Sequence, residues 1–227
     1  MKPQPTEAAN VYQGVALIAD PIYRYASFTV PAEEGTAEKT EKDLIDSPWL
    51  QRLRRIYQLQ SARWVYPAAE HTRFQHSLGT MHIAGEFGRH LYPSLKEVCP
   101  ETPSLNYVEE LLRVAGLLHD VGHGPYGHFF DDHFLDGYRL THEDLGRLII
   151  VRKLGRIIAR IRRSPSGPFA AGETLDPAAV AFLIKMPDER DEAMPRWLQL
   201  LRQLFSGTYT VDNLDYVQRD AFMTGFS

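Results

Sequence analysis

Residues 117–124 read Leu-Leu-His-Asp-Val-Gly-His-Gly, so an apolar helical stretch ends in adjacent histidine and aspartate residues and then in two glycines. Burying an imidazole beside a carboxylate costs free energy unless the two groups are paired or bind an ion. At a helix end, His119 and Asp120 can both reach one metal ion, and the glycines let the backbone bend closely around that point. A single His-Asp pair is more often a satisfied histidine beside a turn-forming aspartate, so the dipeptide needs support from elsewhere in the chain.

The distribution of histidine gives such support. All nine histidines of the chain lie between His71 and His142. Histidine titrates near neutral pH and is the commonest metal ligand in proteins. Crowding every histidine into one third of the chain therefore indicates a site, although it does not identify the chemistry.

The composition is that of a globular protein of 227 residues, with 44% hydrophobic and 24% charged residues. These fractions argue against disorder of the whole chain, and a net charge of −4 argues against a dedicated duplex-binding protein. The single Cys99 excludes an internal disulfide and fits a reducing compartment. No apolar run approaches the roughly 20 residues of a membrane helix, and the first ten residues lack the apolar stretch of a secretory signal. We therefore expect a cytoplasmic protein that does not bind membranes.

Hydrophobic periodicity predicts a mainly α-helical protein with a small N-terminal β-hairpin. The hairpin strands are expected at residues 12–18 and 23–30, on either side of Asp20-Pro21. Thr141, followed by Asp144 at the capping-box position, is expected to begin one of the helices. Strands and helices do not alternate, which disfavours a doubly wound sheet. The helices are expected at about 48–60, 77–92, 105–119 and 141–161, from 177 onward, and at 197–205 and 211–224.

Two further segments carry the residue types of the His-Asp stretch. Residues 71–79 read His-Thr-Arg-Phe-Gln-His-Ser-Leu-Gly, and residues 211–220 read Val-Asp-Asn-Leu-Asp-Tyr-Val-Gln-Arg-Asp. In this order the three segments resemble the HD-domain superfamily of metal-dependent phosphohydrolases. Within it, they look like the dNTP triphosphohydrolase (dNTPase) branch, whose hallmark is an H…HD…D metal set on different helices.

The resemblance extends from about Asp20 to the last predicted helix and covers most of the chain. It implies an HD-domain helical fold at residues 43–227, preceded by an N-terminal segment with the hairpin at residues 1–42. Family members often continue into a longer C-terminal helical region, so an end at residue 227 is compatible with a fragment.

The resemblance assigns metal binding to His76, His119, Asp120 and Asp212. Two imidazoles and two carboxylates suit one divalent ion of Mn, Fe, Zn, Ni or Mg, and the ligand types alone do not choose among these metals. A bound metal can lower the pKa of water from about 15.7 to about 7. The resemblance then implies attack of metal-bound hydroxide on a dNTP, which yields a deoxynucleoside and triphosphate.

Other residues match family positions that face the substrate. His123, His128 and His142 are the expected catalytic proton-transfer residues, with Asp131 orienting one of them. Arg73 is expected to grip a phosphate beside the metal, since its guanidinium suits bidentate contacts. Contacts with the sugar are expected from Gln58, Leu59, Tyr216 and Asp220.

The last predicted helix is consistent with these roles. Asp212, Tyr216 and Asp220 are four residues apart and share one helix face. Asp215 and Arg219 form another pair at this spacing, which we expect to be a structural salt bridge.

Two features concern the substrate and the partners. Family members place a phosphate-contacting lysine directly after the metal aspartate, where this chain has Asn213. Regulated family members bind an activating nucleotide between subunits, and Asp46, Gln51 and Arg54 match the positions that read a guanine there. The resemblance therefore implies a nucleotide substrate, a homo-oligomer and, through these three residues, an activating nucleotide. Asp46 also fits a cap for the helix that begins at Pro48.

Two alternatives to a dNTPase stay open. The first is another HD phosphohydrolase or phosphodiesterase that acts on a different nucleotide or on a phosphorylated metabolite, which Asn213 allows. The second is a non-catalytic regulatory module that binds a nucleotide or nucleic acid. The four intact ligand residues argue against the second alternative, because a module freed from catalysis has no need of them.

Overall fold

The N-terminal hairpin predicted from the sequence is present. The computed structural model describes residues 13–33, 35–185 and 194–226; residue 12, the predicted start of the first strand, lies outside them. Strand β1 (Val15–Asp20) pairs antiparallel with strand β2 (Arg24–Thr29). One carboxylate oxygen of Asp20 accepts hydrogen bonds from the backbone N–H groups of Ile22 and Tyr23, at 2.8 and 3.1 Å, and these bonds fix the turn between the strands.

Helices form most of the remaining structure, as predicted. Among the described residues, no helix is both long enough and apolar enough to cross a membrane. The helices are α1 (Glu41–Ile45), α2 (Pro48–Gln51), α3 (Arg73–Val98), α4 (Leu105–Leu118), α5 (His128–Phe130), α6 (His142–Ile149), α7 (Gly155–Ile158), α8 (Pro177–Ile184), α9 (Arg196–Leu201), α10 (Gln203–Ser206) and α11 (Val211–Thr224).

Helix α4 is the centre of the core and packs along α3. Every residue from Tyr107 to Leu118 is buried, and the leucine side chains of this helix have no accessible surface at Leu111, Leu112 and Leu117. A helix that is buried all round must also bury its charged side chains. Helix α11 also packs on α3, and its first turn lies near the C-terminal end of α4.

A buried ion pair joins the N-terminal hairpin to this core. Arg113 of α4 is 1% exposed and donates to the carboxylate of Glu41 at 2.7 Å. The same guanidinium donates to the backbone oxygen of Ser27 in β2 at 2.6 Å. These contacts cross the predicted boundary between residues 42 and 43, which stays a prediction about domain organisation.

The predicted helix at 48–60 is wrong in its second half. The chain forms α2 and one 3₁₀ turn (Arg52–Arg55), and Ile56 is extended. The backbone N–H of Gln58 donates to the carbonyl of His71 at 3.1 Å, and that of Arg73 donates to the carbonyl of Ile56 at 2.9 Å. These bonds to a distant segment replace the helical bonds, which local periodicity does not reveal.

The helix predicted at 77–92 is longer at both ends. It begins at Arg73, because Thr72 and Gln75 form a capping box, and it runs through Pro93 to Val98. His76 therefore lies in the first turn of α3 rather than before the helix.

The segment that follows α4 has structure that periodicity did not predict. Helix α5 leads into a π-helical turn (Asp131–Leu135), and α6 passes through a second one (Ile150–Leu154) into α7. The predicted capping box of Thr141 and Asp144 begins α6. A Cβ on Gly122 would lie 1.8 Å from the backbone oxygen of His142, so only glycine permits this approach of the loop to α6.

Candidate metal centre and cavity

Two histidines and two aspartates from three helices converge at one point, which we call the primary cluster. His76 lies in the first turn of α3, His119 is the C-cap of α4 with Asp120 next to it, and Asp212 lies in the first turn of α11. The Nε2 atoms of the two histidines are 3.1 Å apart. Asp212 Oδ1 lies 2.9 Å from the Nε2 of His76 and 3.6 Å from that of His119. Asp120 Oδ1 lies 3.4 Å from the Nε2 of His119.

The other ring nitrogen of each histidine already has a partner. The Nδ1 of His76 is 2.8 Å from Asp215 Oδ2, and the Nδ1 of His119 is 2.7 Å from the carbonyl oxygen of Gly116. Since ionised carboxylates and carbonyls only accept hydrogen bonds, both Nδ1 atoms carry a proton. In the neutral imidazoles, both Nε2 lone pairs therefore face each other and two carboxylates. This arrangement is repulsive unless a cation lies between the groups, and it is the usual preparation of histidine as a metal ligand.

The pKa shifts in the primary cluster also indicate that the site stabilises a positive charge. Burial by itself lowers the pKa of His76, but hydrogen bonds to two carboxylates raise it to about 10. Burial raises the pKa of Asp120, but the charges of His119 and Arg73 outweigh burial and hold that pKa well below its ordinary value. The pKa of Asp212 is lowered as well, because hydrogen bonds from both histidines outweigh its partial burial. A divalent metal ion fits this donor set and would replace the proton held there.

A secondary cluster lies beside the first and consists of His123, His128, Asp131 and His142. Each of the four residues offers a ligand atom within 4.8 Å of the others. The Nδ1 atoms of His142 and His128 lie 2.5 and 3.6 Å from the same oxygen of Asp131. The ring of His123 stacks on that of His142, with centroids 3.8 Å apart. His128 is the exposed member, with 62% of its side chain accessible.

His123 connects the two clusters. Its Nε2 lies 3.3 Å from Asp120 Oδ1, while its Nδ1 is buried and has no hydrogen-bond partner within the described parts of the chain. Burial lowers the pKa of His123 to about 4, although the charge of Asp120 acts in the opposite direction. Near neutral pH, His123 is therefore a neutral imidazole, which makes it a poor proton donor.

An open cavity of about 410 Å³ exposes both clusters to solvent. Its volume is in the range of small-molecule sites. Arg73 lies on its wall and donates to Asp120 Oδ2 at 2.6 Å. Among the cavity residues that the structure describes, Arg73 is the only arginine or lysine.

Comparison with known protein families identifies the family of this chain. The model of the HD domain matches residues 73–195, a range that contains His76, His119 and Asp120. The chain belongs to the HD domain family. HD domains bind divalent metal ions, in agreement with the donor set of the primary cluster. Asp212 lies beyond the matched range.

Relatives of this HD-domain chain are longer proteins. The uncharacterized protein YwfO of Bacillus subtilis is 33% identical over 208 residues, which cover 92% of this chain and 40% of that protein. The deoxynucleoside triphosphate triphosphohydrolase SAMHD1 of Gallus gallus is 45% identical over 104 residues, 44% of this chain and 16% of that protein. A solved phosphohydrolase of Bacteroides thetaiotaomicron has a TM-score of 0.62 and 28% identity, covering 93% of this chain and 43% of its own. The chain thus spans less than half the length of these relatives.

Most of the residues predicted to contact the sugar reach the cavity. Gln58, Tyr216 and Asp220 line it. Leu59 does not appear among the described lining residues, and Gln60 lies there instead. The reason is that the helix predicted to carry Leu59 ends before it, so the side chains that follow do not keep a helical register.

Two of these lining residues have partners within the protein. Asp220 Oδ1 lies 2.6 Å from the Nε2 of His71, which is buried. The hydroxyl of Tyr216 accepts a hydrogen bond from the amide of Asn213 at 2.9 Å, and the side-chain oxygen of Asn213 accepts from Thr210. Asn213 is therefore engaged within its own helix turn, where the resemblance expects a lysine.

None of the three residues predicted to bind an activating nucleotide is among the described residues that line the cavity. Arg54 donates to the side-chain oxygen of Gln51 at 2.8 Å and stacks 3.7 Å over the ring of Phe74. Asp46 does not cap α2, since Ser47 does. A regulatory role for Asp46, Gln51 and Arg54 stays a prediction.

Sequence reasoning missed two contributors to the site. The predicted salt bridge between Asp215 and Arg219 is present at 2.8 Å, but Asp215 also holds the imidazole of His76. Its position three residues after Asp212, on a neighbouring helix face, was the available signal. Arg52 donates to the backbone oxygen of His123 at 2.5 Å. No sequence signal identifies that contact, because its acceptor is a carbonyl.

Proposed function

We propose that this chain carries the active site of a metal-dependent nucleotide phosphohydrolase, with a dNTP as substrate and a deoxynucleoside and triphosphate as products. The observation that carries the proposal is the pair of facing Nε2 atoms of His76 and His119, each with its Nδ1 proton committed and each beside a carboxylate. Such a set of lone pairs and carboxylates can bind a cation at the wall of the cavity.

The four residues of the primary cluster would hold one divalent ion of Mn, Fe, Zn, Ni or Mg. When bound, such an ion lowers the pKa of water and polarises a phosphoryl oxygen. Asp215 keeps the Nδ1 proton of His76 in place, and Gly116 does the same for His119. The protein thus supplies both imidazoles in the tautomer that ligation requires.

Arg73 would position the phosphate. It is buried except for its place on the cavity wall, and one of its N–H groups is bonded to Asp120. Its Nε atom has no partner among the residues described. A guanidinium held in this way can face a phosphate oxygen while it neutralises the carboxylate behind it.

His128 and His142 would move the proton that the leaving sugar oxygen needs. Asp131 accepts from the Nδ1 of His142, which leaves the Nε2 of that ring to exchange a proton. His123 is neutral because burial lowers its pKa, and its ring stacks on that of His142. The acidic and basic roles therefore fall on the exposed edge of the secondary cluster, with Asp131 orienting the rings.

Gln58, Tyr216 and Asp220 would contact the sugar, since they line the same cavity. The choice of a dNTP draws support from the 45% identity with the SAMHD1 triphosphohydrolase of Gallus gallus over 104 residues. We further propose a homo-oligomer in which Asp46, Gln51 and Arg54 bind an activating nucleotide, on the basis of their match to family positions.

A second candidate is an HD phosphohydrolase acting on a substrate with fewer phosphates. Asn213 supplies no charge at the family's lysine position, and its side chain is bonded to Thr210 and Tyr216. Arg73 is the one fixed cation on the described cavity wall. A triphosphate would need further positive charge from the metal or from histidines.

The test is incubation of the protein with each dNTP, the rNTPs, nucleoside monophosphates and cyclic nucleotides in Mn²⁺ or Mg²⁺, followed by chromatographic identification of the products. Free triphosphate supports the dNTPase proposal, whereas orthophosphate or a nucleoside monophosphate supports the second candidate. Binding of a nucleotide without turnover would support a regulatory module instead. Asp212→Ala is expected to abolish metal content and hydrolysis while the helical circular dichroism is retained; unchanged hydrolysis in this variant would contradict the mechanism.

A further inference from the structure

We propose that Tyr23 and Asp20, in the turn of the N-terminal hairpin, are positioning residues for the metal ligand His76. The inference rests on the proposed function, since it takes the primary cluster to be a metal centre. It assigns a role to the hairpin, which lies almost 50 residues before the nearest metal ligand in the sequence.

Tyr23 reaches the metal centre through Asp215. Its hydroxyl donates to Asp215 Oδ1 at 2.8 Å. Arg219 donates to both oxygens of this carboxylate, at 2.8 and 2.9 Å, and the Nδ1 of His76 donates to Oδ2 at 2.8 Å. Each oxygen of Asp215 thus accepts two hydrogen bonds, which is its full capacity. Asp215 has no exposed surface, so neither water nor a rotation of the carboxylate can replace a lost donor.

Asp20 holds the other side of the same network. One of its oxygens accepts from the backbone N–H groups of Ile22 and Tyr23 and forms the turn. Its second oxygen accepts from Arg219 at 2.9 Å. One carboxylate therefore sets the position of Tyr23 and, at the same time, the position of the arginine that grips Asp215.

The network has a consequence for the metal ligand. The bond from the Nδ1 of His76 to Asp215 orients the imidazole, and the carboxylate that accepts this bond is itself held from the hairpin turn. Partners in the shell outside the ligands typically change metal affinity by about 10- to 100-fold when they are removed. Since Tyr23 acts one contact further out, we expect an effect of about 10-fold, at the lower end of that range.

The experiment measures Mn²⁺ affinity by isothermal titration calorimetry, well below the melting temperature, for the wild-type chain and three variants. Tyr23→Phe removes the hydroxyl and keeps the ring. Asp20→Asn keeps an oxygen that can accept the two turn bonds and removes the charge facing Arg219. Tyr25→Phe is the matched control, because Tyr25 lies on the same hairpin and is 61% exposed.

We expect Tyr23→Phe and Asp20→Asn each to weaken Mn²⁺ binding about 10-fold, while Tyr25→Phe binds like the wild type. A purely structural role of the hairpin would lower the melting temperature and leave the Mn²⁺ affinity of the folded protein unchanged, and that result would overturn the inference. Because either variant suffices, a failure of one to fold leaves the test intact. Wild-type protein that binds none of Mn²⁺, Fe²⁺, Zn²⁺, Ni²⁺ and Mg²⁺ would overturn the proposed function together with this inference; if it binds one of the others, the same comparison is made with that ion.

Discussion

Gly79 of α3 is a position where the addition of one methyl group has a large predicted effect on stability. A Cβ at this residue would lie 1.8 Å from Asp215 Oδ1 and 2.3 Å from the Nη2 of Arg219. Both side chains are flexible in principle, but Asp215 is 0% exposed, Arg219 is 1% exposed, and each is hydrogen-bonded to the other. Gly79→Ala must therefore displace a buried ion pair that has no space to move into.

The expected cost follows from two destabilising effects and one stabilising effect. Overpacking a core typically costs about 1–3 kcal/mol, and breaking a buried ion pair costs about 3–5 kcal/mol when it is complete. Alanine stabilises a helix by roughly 1 kcal/mol relative to glycine. We expect Gly79→Ala to destabilise the fold by about 2–4 kcal/mol, which for a chain of this size is a fall in melting temperature of about 5–15 °C.

The assay is thermal unfolding followed by circular dichroism, supported by urea denaturation. Gly146→Ala is the matched control, because a Cβ there has no neighbour closer than 3.6 Å. This control also lies in a helix, so it is expected to be neutral or stabilised by about 0.5–1 kcal/mol. If Gly79→Ala melts at or above the wild-type temperature, the close packing of α3 against the Asp215–Arg219 pair does not exist as described.

Three further predictions concern catalysis, pH and the loop after α4. Asp131→Asn is expected to lower the hydrolytic rate by about 10²- to 10⁴-fold with unchanged metal content, while Asp132→Asn, at the exposed neighbouring position, keeps the wild-type rate in the same assay. Glu110 is fully buried, and its oxygens have no hydrogen-bond partner in the described residues; burial first, and then the charge of a neighbouring glutamate, raise its pKa well above 4.5. Ionisation of Glu110 therefore favours unfolding once the pH rises above the pKa of this group in the unfolded chain. Glu110→Gln should melt at a higher temperature than the wild type at pH 8 and at the same temperature at pH 4. Equal melting temperatures at pH 8 would contradict the raised pKa of Glu110. Arg52→Ala removes the donors to the carbonyl oxygens of Val121 and His123 and is expected to destabilise the fold by about 1–3 kcal/mol in urea denaturation. The exposed Arg55→Ala should change stability little, and an equal loss in both variants would show that the loop contacts are unimportant.

Local sequence patterns were sufficient to predict those elements whose hydrogen bonds join residues close together in the chain. Thr141 and Asp144 form the capping box that their spacing predicts, and the hairpin forms around Asp20 because an aspartate can bond the backbone of its own turn. The end of the helix after Arg55 was missed for the opposite reason. Its residues satisfy a helical pattern, but Ile56 bonds a backbone group 17 residues away instead.

For the candidate site as well, some features could be predicted from the sequence and others could not. The assignment of His76, His119, Asp120 and Asp212 as metal ligands came from the resemblance of their ordered motifs to the HD-domain superfamily, and the donor types of these residues agree with it. The sequence did not reveal the distances between these groups, the 410 Å³ cavity beside them or the absence of Leu59 from its described wall. These depend on how α3, α4 and α11 pack, and side-chain periodicity says which face is buried without saying against what.

Sequence patterns were enough to predict a mainly helical chain with a hairpin in its N-terminal part and to select the side chains that could ligate a cation. The facing Nε2 atoms of the two histidines, the bond from Tyr23 to the carboxylate behind one of them and the bond from Arg219 to Asp20 became visible only in the packed structure. The physical reason is that helix periodicity and capping act over a few residues, whereas the contact between Asp20 and Arg219 joins groups 199 residues apart. Such a contact is fixed by packing of the whole core and leaves no mark on the local sequence at either end.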